Sequence, residues 1–129
     1  MGSNEENLEN LKKFWPENAP NISQVPKYVS KYKREKIVIK CGGKVLIDPD
    51  LFDNFIEDIS ILHKLGLKII IIHGGGPRIK IELAKLNIES EFINGLRVTS
   101  KQTMEVVEKA LIDFNSEIVE KLKKKIVNQ

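Results

Sequence analysis

The chain has 129 residues, of which 41% are hydrophobic and 30% charged, with five prolines and eight glycines. This composition is typical of one compact globular domain and excludes collagen-like, low-complexity and fully disordered chains. The formal net charge is +3, from 21 Lys and Arg against 18 Asp and Glu, with one basic cluster at residues 121–125. So diffuse a positive charge does not indicate a nucleic-acid partner.

The cysteine and the hydropathy pattern indicate the compartment. Cys41 is the single cysteine, which excludes an internal disulfide, and two isolated histidines provide no metal-ligand set. The longest apolar stretch, residues 69–72, is far shorter than the ~20 residues that span a bilayer, and the polar N-terminus does not resemble a signal peptide. We therefore predict a cytoplasmic protein with no metal site and no membrane partner.

Residues 1–35 are predicted to form an arm that precedes a folded domain at residues 36–129. The arm contains three of the five prolines and a polar run at residues 17–24. A short amphipathic helix is expected in it if a partner surface covers its apolar stripe; a flexible extension is the alternative. The stripe consists of Leu8, Leu11, Phe14 and Trp15.

The folded domain begins with a pattern that predicts two parallel strands joined by a helix. Residues 37–39, and residues 69–72 after Lys68, are apolar runs rich in β-branched side chains that do not alternate with polar residues, so we expect strands buried on both faces. Between them, Asp48 is a plausible N-cap, Pro49 suits the first helical position and Gly66 suits the end of the helix. A strand, a helix and a second buried strand predict a right-handed parallel βαβ unit and an α/β fold.

Two more helices and a hairpin are predicted after the second strand. Pro77 opens a helix whose apolar face is Ile79, Leu83 and Leu86. A short extended piece at residues 91–93 leads into a turn at Asn94-Gly95. Thr99 and Gln102 have the spacing of a capping box, which predicts the start of a long last helix. The apolar stripe of this helix is Met104, Val107, Leu111, Phe114, Ile118 and Leu122.

Two glycine clusters carry the main functional signal. Residues 42–43 and 74–76 each follow a predicted strand, and loops after parallel strands leave the sheet at the same edge, where α/β proteins bind ligands. Glycine lets backbone N–H groups approach a ligand, the helix at Pro77 favours an anion, and Lys40 adds a positive charge. A phosphate or carboxylate ligand is predicted; the alternative is that the glycines only make tight turns. Neither the P-loop nor the dinucleotide fingerprint is present.

Three other residues have side chains capable of chemistry. Arg97, just after the turn, is a candidate clamp for a carboxylate, with an ordinary surface arginine as the alternative. Cys41 lacks a triad partner and is not expected to be catalytic. His73 is expected to hold the glycine loop and not to act as a base.

Three segments, taken in order, resemble acetylglutamate kinase of the amino acid kinase superfamily. They are IVIKCGG at residues 37–43, IIIIHGGGP at 69–77 and NGLRVT at 94–99. The first two segments are similar to those of several kinases of the superfamily, including carbamate and aspartate kinases. The third, followed by TMEVV at 103–107, is much more specific to acetylglutamate kinases. The resemblance runs from about Lys36 to Ala110. It implies the N-terminal half of a three-layer αβα fold with a mainly parallel sheet.

The resemblance also implies a reaction and roles for the glycine loops. Acetylglutamate kinases transfer the γ-phosphoryl group of ATP, with magnesium, to the side-chain carboxylate of N-acetyl-L-glutamate in arginine biosynthesis. By resemblance, Lys40 stabilises the phosphoryl group in flight and the Gly43 amide hydrogen-bonds it. Gly75 and Gly76 bind acetylglutamate through their amides, and Arg97 grips its α-carboxylate. Secondary members of the implied site are Gly42, Gly74 and Asn94.

The chain departs from the family pattern in two ways, of which the first, at Cys41, is expected to be tolerated and the second, in length, bears on activity. Cys41 stands where the family usually has an aromatic or aliphatic residue, and family members are considerably longer, with a C-terminal half that forms the nucleotide lobe. ATP and magnesium are therefore expected as co-substrate and ion of the full-length enzyme, with no tightly bound cofactor in this chain. We expect the chain to be the acetylglutamate-binding N-terminal lobe, inactive alone, with apolar surfaces exposed where the other half would pack.

Another function and a homo-oligomeric assembly are also considered. A non-catalytic module that binds an acidic metabolite, or another amino acid kinase, is the competing interpretation. Family members pair through this lobe, so a homodimer is expected, or a hexamer if the arm is the helix that links dimers in arginine-inhibited members.

Overall fold

The computed structural model describes residues 9–13 and 15–127. A short 3-10 helix at Ile22–Gln24 leads into α1 (Val25–Tyr32), β1 (Lys36–Cys41), α2 (Gly43–Ile47) and α3 (Pro49–Lys64). The chain continues with β2 (Lys68–His73), α4 (Gly76–Lys85), β3 (Phe92–Ile93), β4 (Leu96–Arg97) and α5 (Lys101–Val127).

The predicted βαβ unit is confirmed. β1 and β2 pair in parallel, with Lys36 opposite Lys68 and Cys41 opposite His73. The α3 helix connects them, so the fold is α/β with a parallel sheet, as the sequence predicts. Because both strands run the same way and end in register, the loops that follow them leave the same edge of the sheet.

The ends of α3 form as predicted. Asp48 lies before the helix, and its Oδ1 accepts hydrogen bonds from the amides of Asp50 (3.0 Å) and Leu51 (3.1 Å). Pro49 is the first helical residue, where its missing N–H costs no intrahelical bond. Gly66, just past the helix, has φ +84°, a conformation that glycine adopts without steric cost. The short helix α2, which buries Leu46, was not predicted.

The core lies between one face of the sheet and the helices. Phe114 and Ile118 of α5 pack with Cys41 of β1 and with Phe52 and Ile56 of α3. A second cluster joins α4 to α5 through Ile79, Leu83 and Ala110.

The prediction that both strands are buried on two faces is wrong. Side chains alternate along each strand, and the outward set is half exposed: Val38 at 57%, Ile70 at 45% and Ile72 at 53%. In the described part of the chain the core helices pack on the opposite face, towards Cys41 and Ile71. The strands are apolar on both faces while helices cover one, which leaves an apolar sheet face open.

The hairpin forms at the predicted turn. β3 and β4 pair antiparallel, and the two residues between them, Asn94 (φ 50°) and Gly95 (φ 79°), both have positive φ. This is the backbone of a two-residue turn whose twist matches that of the strands, and Asn-Gly is the preferred pair for it.

The start of α5 and two apolar positions differ from the prediction. Ser100 caps the helix, since its Oγ accepts from the Thr103 amide at 3.1 Å, while the Thr99 hydroxyl donates to the Arg97 carbonyl. Met104 is 52% exposed and Leu86 59% exposed, so neither belongs to the core. The other predicted positions of α5 do face the core: Phe114 and Ile118 are buried and Val107, Leu111 and Leu122 are partly buried, and the core also includes Thr103 and Ala110 of this helix.

The predicted helix of the arm lies partly outside the described residues, because Leu8 and Phe14 are not among them. Residues 9–12 are helical, and Leu11 is buried. The Trp15 indole N–H donates to the Pro20 carbonyl at 2.8 Å. The amphipathic helix α1, further along the arm, was not predicted. None of the helices in the described part of the chain is long and apolar enough to cross a membrane.

Candidate functional site

The two glycine loops lie against each other at the carboxyl edge of the sheet. The Gly74 amide donates to the Cys41 carbonyl at 3.1 Å, which continues the strand pairing into the loops. An ideal Cβ placed on Gly43 would lie 2.7 Å from Pro77 Cδ and 3.5 Å from the Gly76 nitrogen. The structure thus confirms the predicted convergence of the loops.

Two of these glycines are closely packed and two face open space. A Cβ on Gly43 would clash with Pro77, and a Cβ on Gly75 would lie 2.6 Å from Leu111 Cδ2 of α5. A Cβ on Gly42 or Gly76 would meet nothing within 4 Å. Gly43 and Gly75 are therefore closely packed, while open space lies beside Gly42 and Gly76, which leaves the backbone there accessible to a small anion.

The start of α4 adds backbone N–H donors beside the glycine loops. Gly75 is the N-cap and has no side chain to bond the first amides of the helix, so these N–H groups are not capped by Gly75. The helix has ten residues, so its dipole adds partial positive charge at this end. A carboxylate or phosphoryl oxygen placed above the loops would accept hydrogen bonds from this end of the helix.

Lys40 lies next to the glycine loops, at the end of β1. In the strand register it is opposite Ile72, and its exposed side chain belongs to the open face of the sheet. Among the described residues it has no hydrogen-bond or ion-pair partner. An exposed lysine without a carboxylate partner is available to an anion at this edge.

The structure does not bring Arg97 into contact with the glycine loops. Its guanidinium donates a hydrogen bond from Nη1 to Ser90 Oγ and stacks 4.7 Å from the Phe92 ring centroid. The hairpin strands pack mainly on each other, and Asn94 lies exposed at the tip. Of the predicted site residues, the glycines and Lys40 are clustered, whereas Arg97 and Asn94 belong to the separate hairpin.

His73 and Cys41 pack against the loop and the core. The Nδ1 atom of His73 lies 3.0 Å from the Gly74 carbonyl oxygen, so this nitrogen carries the proton, and the ring packs edge-on against Phe114. This agrees with the expectation that His73 holds the glycine loop. Cys41 is buried, and burial raises the pKa of its thiol, which disfavours the reactive thiolate.

The sequence analysis missed an ion pair beside the loops. Arg78, in the first turn of α4, donates from Nη1 and Nη2 to the two carboxylate oxygens of Glu117 on α5, and its guanidinium lies 4.7 Å from the Phe114 ring centroid. The hydrogen bonds to Glu117 raise the pKa of Arg78 above its usual range. One signal was available: a cation in the first turn of a helix opposes the dipole, so an acidic partner for Arg78 is favourable.

The basic cluster at the end of α5 also has partners. Lys121 pairs with Asp53 at 2.6 Å and Lys125 pairs with Glu57, so two of the lysines tie α5 to α3. In the part of the chain that the structure describes, no group of three His, Cys, Asp or Glu side chains is arranged to hold a metal ion.

Comparison with known proteins connects this geometry to one family. Residues 35–129 match the model of the amino acid kinase family. An acetylglutamate kinase from Pelagibacter ubique is 55% identical over 114 residues, which are 88% of this chain and 40% of that protein. An acetylglutamate kinase from Campylobacter fetus subsp. fetus is 48% identical over 104 residues, 80% of this chain and 37% of that protein.

A solved structure agrees with the fold. An N-acetylglutamate synthase from Neisseria gonorrhoeae superimposes with a TM-score of 0.66 at 19% identity, covering 80% of this chain and 24% of that one. At this identity the likeness concerns the fold alone. The chain spans about two fifths of the length of the two curated relatives described above.

Proposed function

This chain belongs to the amino acid kinase family, and we propose that it is the acetylglutamate-binding lobe of an acetylglutamate kinase. The observation that carries the proposal is the contact between the two glycine loops, which leaves no room for a side chain on Gly43 and joins it to Gly76 and Pro77. Identity of 55% to an acetylglutamate kinase supports the choice of substrate within the family.

We assign the reacting carboxylate of N-acetyl-L-glutamate to the edge where the loops meet. The amides of Gly75 and Gly76 bind the substrate, and the amide of Gly43 hydrogen-bonds the phosphoryl group in transfer. Lys40 offsets the negative charge that develops on that group. Phosphoryl transfer depends mainly on positioning and electrostatic stabilisation, which backbone amides and a lysine supply without a protein nucleophile.

Arg97 is proposed to bind the α-carboxylate of acetylglutamate. Its guanidinium uses one of five N–H donors on Ser90 and lies over Phe92, so four donors are left for a carboxylate. Because the hairpin packs mainly on itself, the proposal requires the hairpin to bring Arg97 towards the glycine loops when substrate binds. Closure of surface loops over a bound substrate occurs in many enzymes.

ATP enters the proposal as co-substrate and Mg²⁺ as its companion ion. No described cluster of acidic side chains in this chain is arranged for a metal, so the ion would come with the nucleotide phosphates. We propose that the 129-residue chain binds acetylglutamate and transfers no phosphoryl group by itself, in keeping with its two-fifths share of the relatives' length. The cytoplasm is the proposed compartment.

Calorimetry tests the proposed binding. N-acetyl-L-glutamate should bind the purified chain weakly and saturably, whereas N-acetyl-L-glutamine, which lacks the reacting carboxylate, should bind much less. Arg97→Ala should weaken binding, since the α-carboxylate loses its clamp. No binding of acetylglutamate, or equal affinity of the wild type and Arg97→Ala, would reject the assignment and favour another acidic substrate of the family.

An activity assay separates an enzyme part from a regulatory module. The chain is mixed with the remaining part of the Pelagibacter ubique relative, and acetylglutamyl phosphate is measured with ATP and Mg²⁺. Recovery of activity that depends on Lys40 supports the kinase lobe. Binding of acetylglutamate without recovery favours a non-catalytic module, and transfer by the chain alone would contradict the proposed inactivity.

A homo-oligomer is part of the proposal, through α5. The apolar stripe predicted for α5 is occupied by the core at Phe114 and Ile118. A different stripe, at seven-residue spacing, faces outward: Ile112 is 57% exposed, Val119 38% and Ile126 36%. Residues seven positions apart lie nearly in line along a helix, so these three side chains form one exposed apolar row that a second helix would cover. Sedimentation of the wild type and of Val119→Lys tests it, because the charge should shift a dimer towards monomer.

A further inference from the structure

We infer that Arg78 and Glu117 are positioning residues that set the Gly74–Gly76 loop from beneath, an inference that rests on the proposed use of this loop to bind acetylglutamate. Neither residue is assigned a role by the sequence motifs. The inference follows from a chain of contacts that joins α5 to the loop through the Phe114 ring.

The first step is the ion pair itself. Arg78 donates from both terminal nitrogens to the two oxygens of Glu117, which fixes the guanidinium in one plane. The side chain of Arg78 is 27% exposed and that of Glu117 is 45% exposed, so water reaches the carboxylate, and the two-pronged geometry, not burial, is what makes this pair restrictive. Arg78 follows Gly76 and Pro77 directly, so the pair fixes the first turn of α4.

The second step is the ring beneath the loop. Phe114 lies one turn before Glu117 on α5 and is 1% exposed. Its ring contacts the Arg78 guanidinium at 4.7 Å and the His73 ring at 5.6 Å between centroids. His73 in turn donates from Nδ1 to the carbonyl of Gly74, the first residue of the loop. A movement of the Phe114 ring would therefore move His73 and, through it, Gly74.

The third step is the contact under the middle of the loop. Leu111, one turn before Phe114, lies so close to Gly75 that a Cβ there would be 2.6 Å from Leu111 Cδ2. One face of α5 therefore supports the loop at Gly74, at Gly75 and at the first turn of α4. Because α5 forms this support, a shift of α5 relative to α4 would tilt the amides of Gly75 and Gly76, and the Arg78–Glu117 pair resists such a shift.

The test compares variants that loosen the pair with one that loosens α5 elsewhere. Arg78→Lys keeps the charge but loses the planar two-pronged contact, and Glu117→Gln keeps the shape but loses the charge. The matched control is Asp53→Asn, which removes the ion pair between Lys121 and α3 at 2.6 Å, away from the loop. The amide signals of Gly74, Gly75 and Gly76 and the ring signals of His73 are recorded by NMR without ligand.

Arg78→Lys and Glu117→Gln should both move the loop and His73 signals, and Asp53→Asn should leave them in place. At temperatures where each variant is folded, the Kd for acetylglutamate should rise roughly tenfold or more for the first two, because small misplacement of binding groups has large effects. Unmoved loop signals in both variants would overturn the inference, as would moved signals with an unchanged Kd. If the wild type does not bind acetylglutamate, the proposed function is wrong. The ligand-free spectra still test whether Arg78 and Glu117 position the loop.

Discussion

Gly43→Ala tests the closeness of the two glycine loops. The new Cβ would lie 2.7 Å from Pro77 Cδ, about 0.7 Å inside the 3.4 Å at which ordinary van der Waals contact begins. The Pro77 ring is held by the backbone of the first turn of α4 and cannot rotate away as a flexible side chain would. The clash must therefore push the two loops apart. Overpacking of this kind costs about 1–3 kcal/mol of the free energy of unfolding.

Gly42→Ala is the matched control for this variant. Gly42 has φ −72° and ψ 149°, a conformation open to alanine, and its Cβ would meet nothing within 4 Å. Its effect on the free energy of unfolding should stay within about 0.5 kcal/mol. Urea titration followed by circular dichroism measures both variants, and calorimetry measures their affinity for acetylglutamate. Equal stability and equal affinity of the two variants would refute the packing of Gly43 against Pro77.

Three further changes test the fold around the site. Asp48→Ala should lower the free energy of unfolding by about 1 kcal/mol in urea titration, because two amides of α3 lose their acceptor; no change would mean that water replaces the cap. Phe114→Ala should cost about 3–5 kcal/mol, since the ring is buried among core residues, and a loss below about 1 kcal/mol would contradict its place in the core. Cys41 should react with a thiol reagent far more slowly in the folded chain than in urea. Because burial raises its pKa, the unfolded thiol ionises first, so the free energy of unfolding should fall as pH rises above the thiol's ordinary pKa, and a Cys41→Ala variant should lack this fall.

Local sequence signals predicted the elements and their junctions well. Asp48-Pro49 starts α3 and Asn94-Gly95 forms the hairpin turn, because each needs a particular side chain or backbone conformation that few residues provide. The approach of the two glycine loops was also predictable, since it follows from parallel strands alone.

Features that depend on neighbouring elements were not predictable in this way. Apolar runs in β1 and β2 indicate strands, but which faces are covered depends on where the helices pack. Thr99 and Ser100 are adjacent hydroxyl residues, and only the path of the chain out of β4 decides that Ser100 caps α5. The same holds for the site residues. The position of Lys40 beside the glycine loops was predictable because it lies at the end of β1, whereas the separation of Arg97 from the loops depends on how the hairpin packs.

The ion pair between Arg78 and Glu117 was only partly predictable from the sequence. A cation in the first turn of a helix interacts unfavourably with the helix dipole, so the sequence indicates that an acidic partner for Arg78 would be stabilising. Glu117 could not be singled out among the acidic residues of α5, because the choice depends on the rotation of α5 against α4.

An NMR titration with N-acetyl-L-glutamate tests the central claim most directly. The amide signals of Gly43, Gly75 and Gly76 should shift together and saturate at one affinity, while Gly66, at the opposite end of β2, should not respond. If the three signals stay in place, or if Gly66 shifts as much as they do, the paired glycine loops are not the acetylglutamate site.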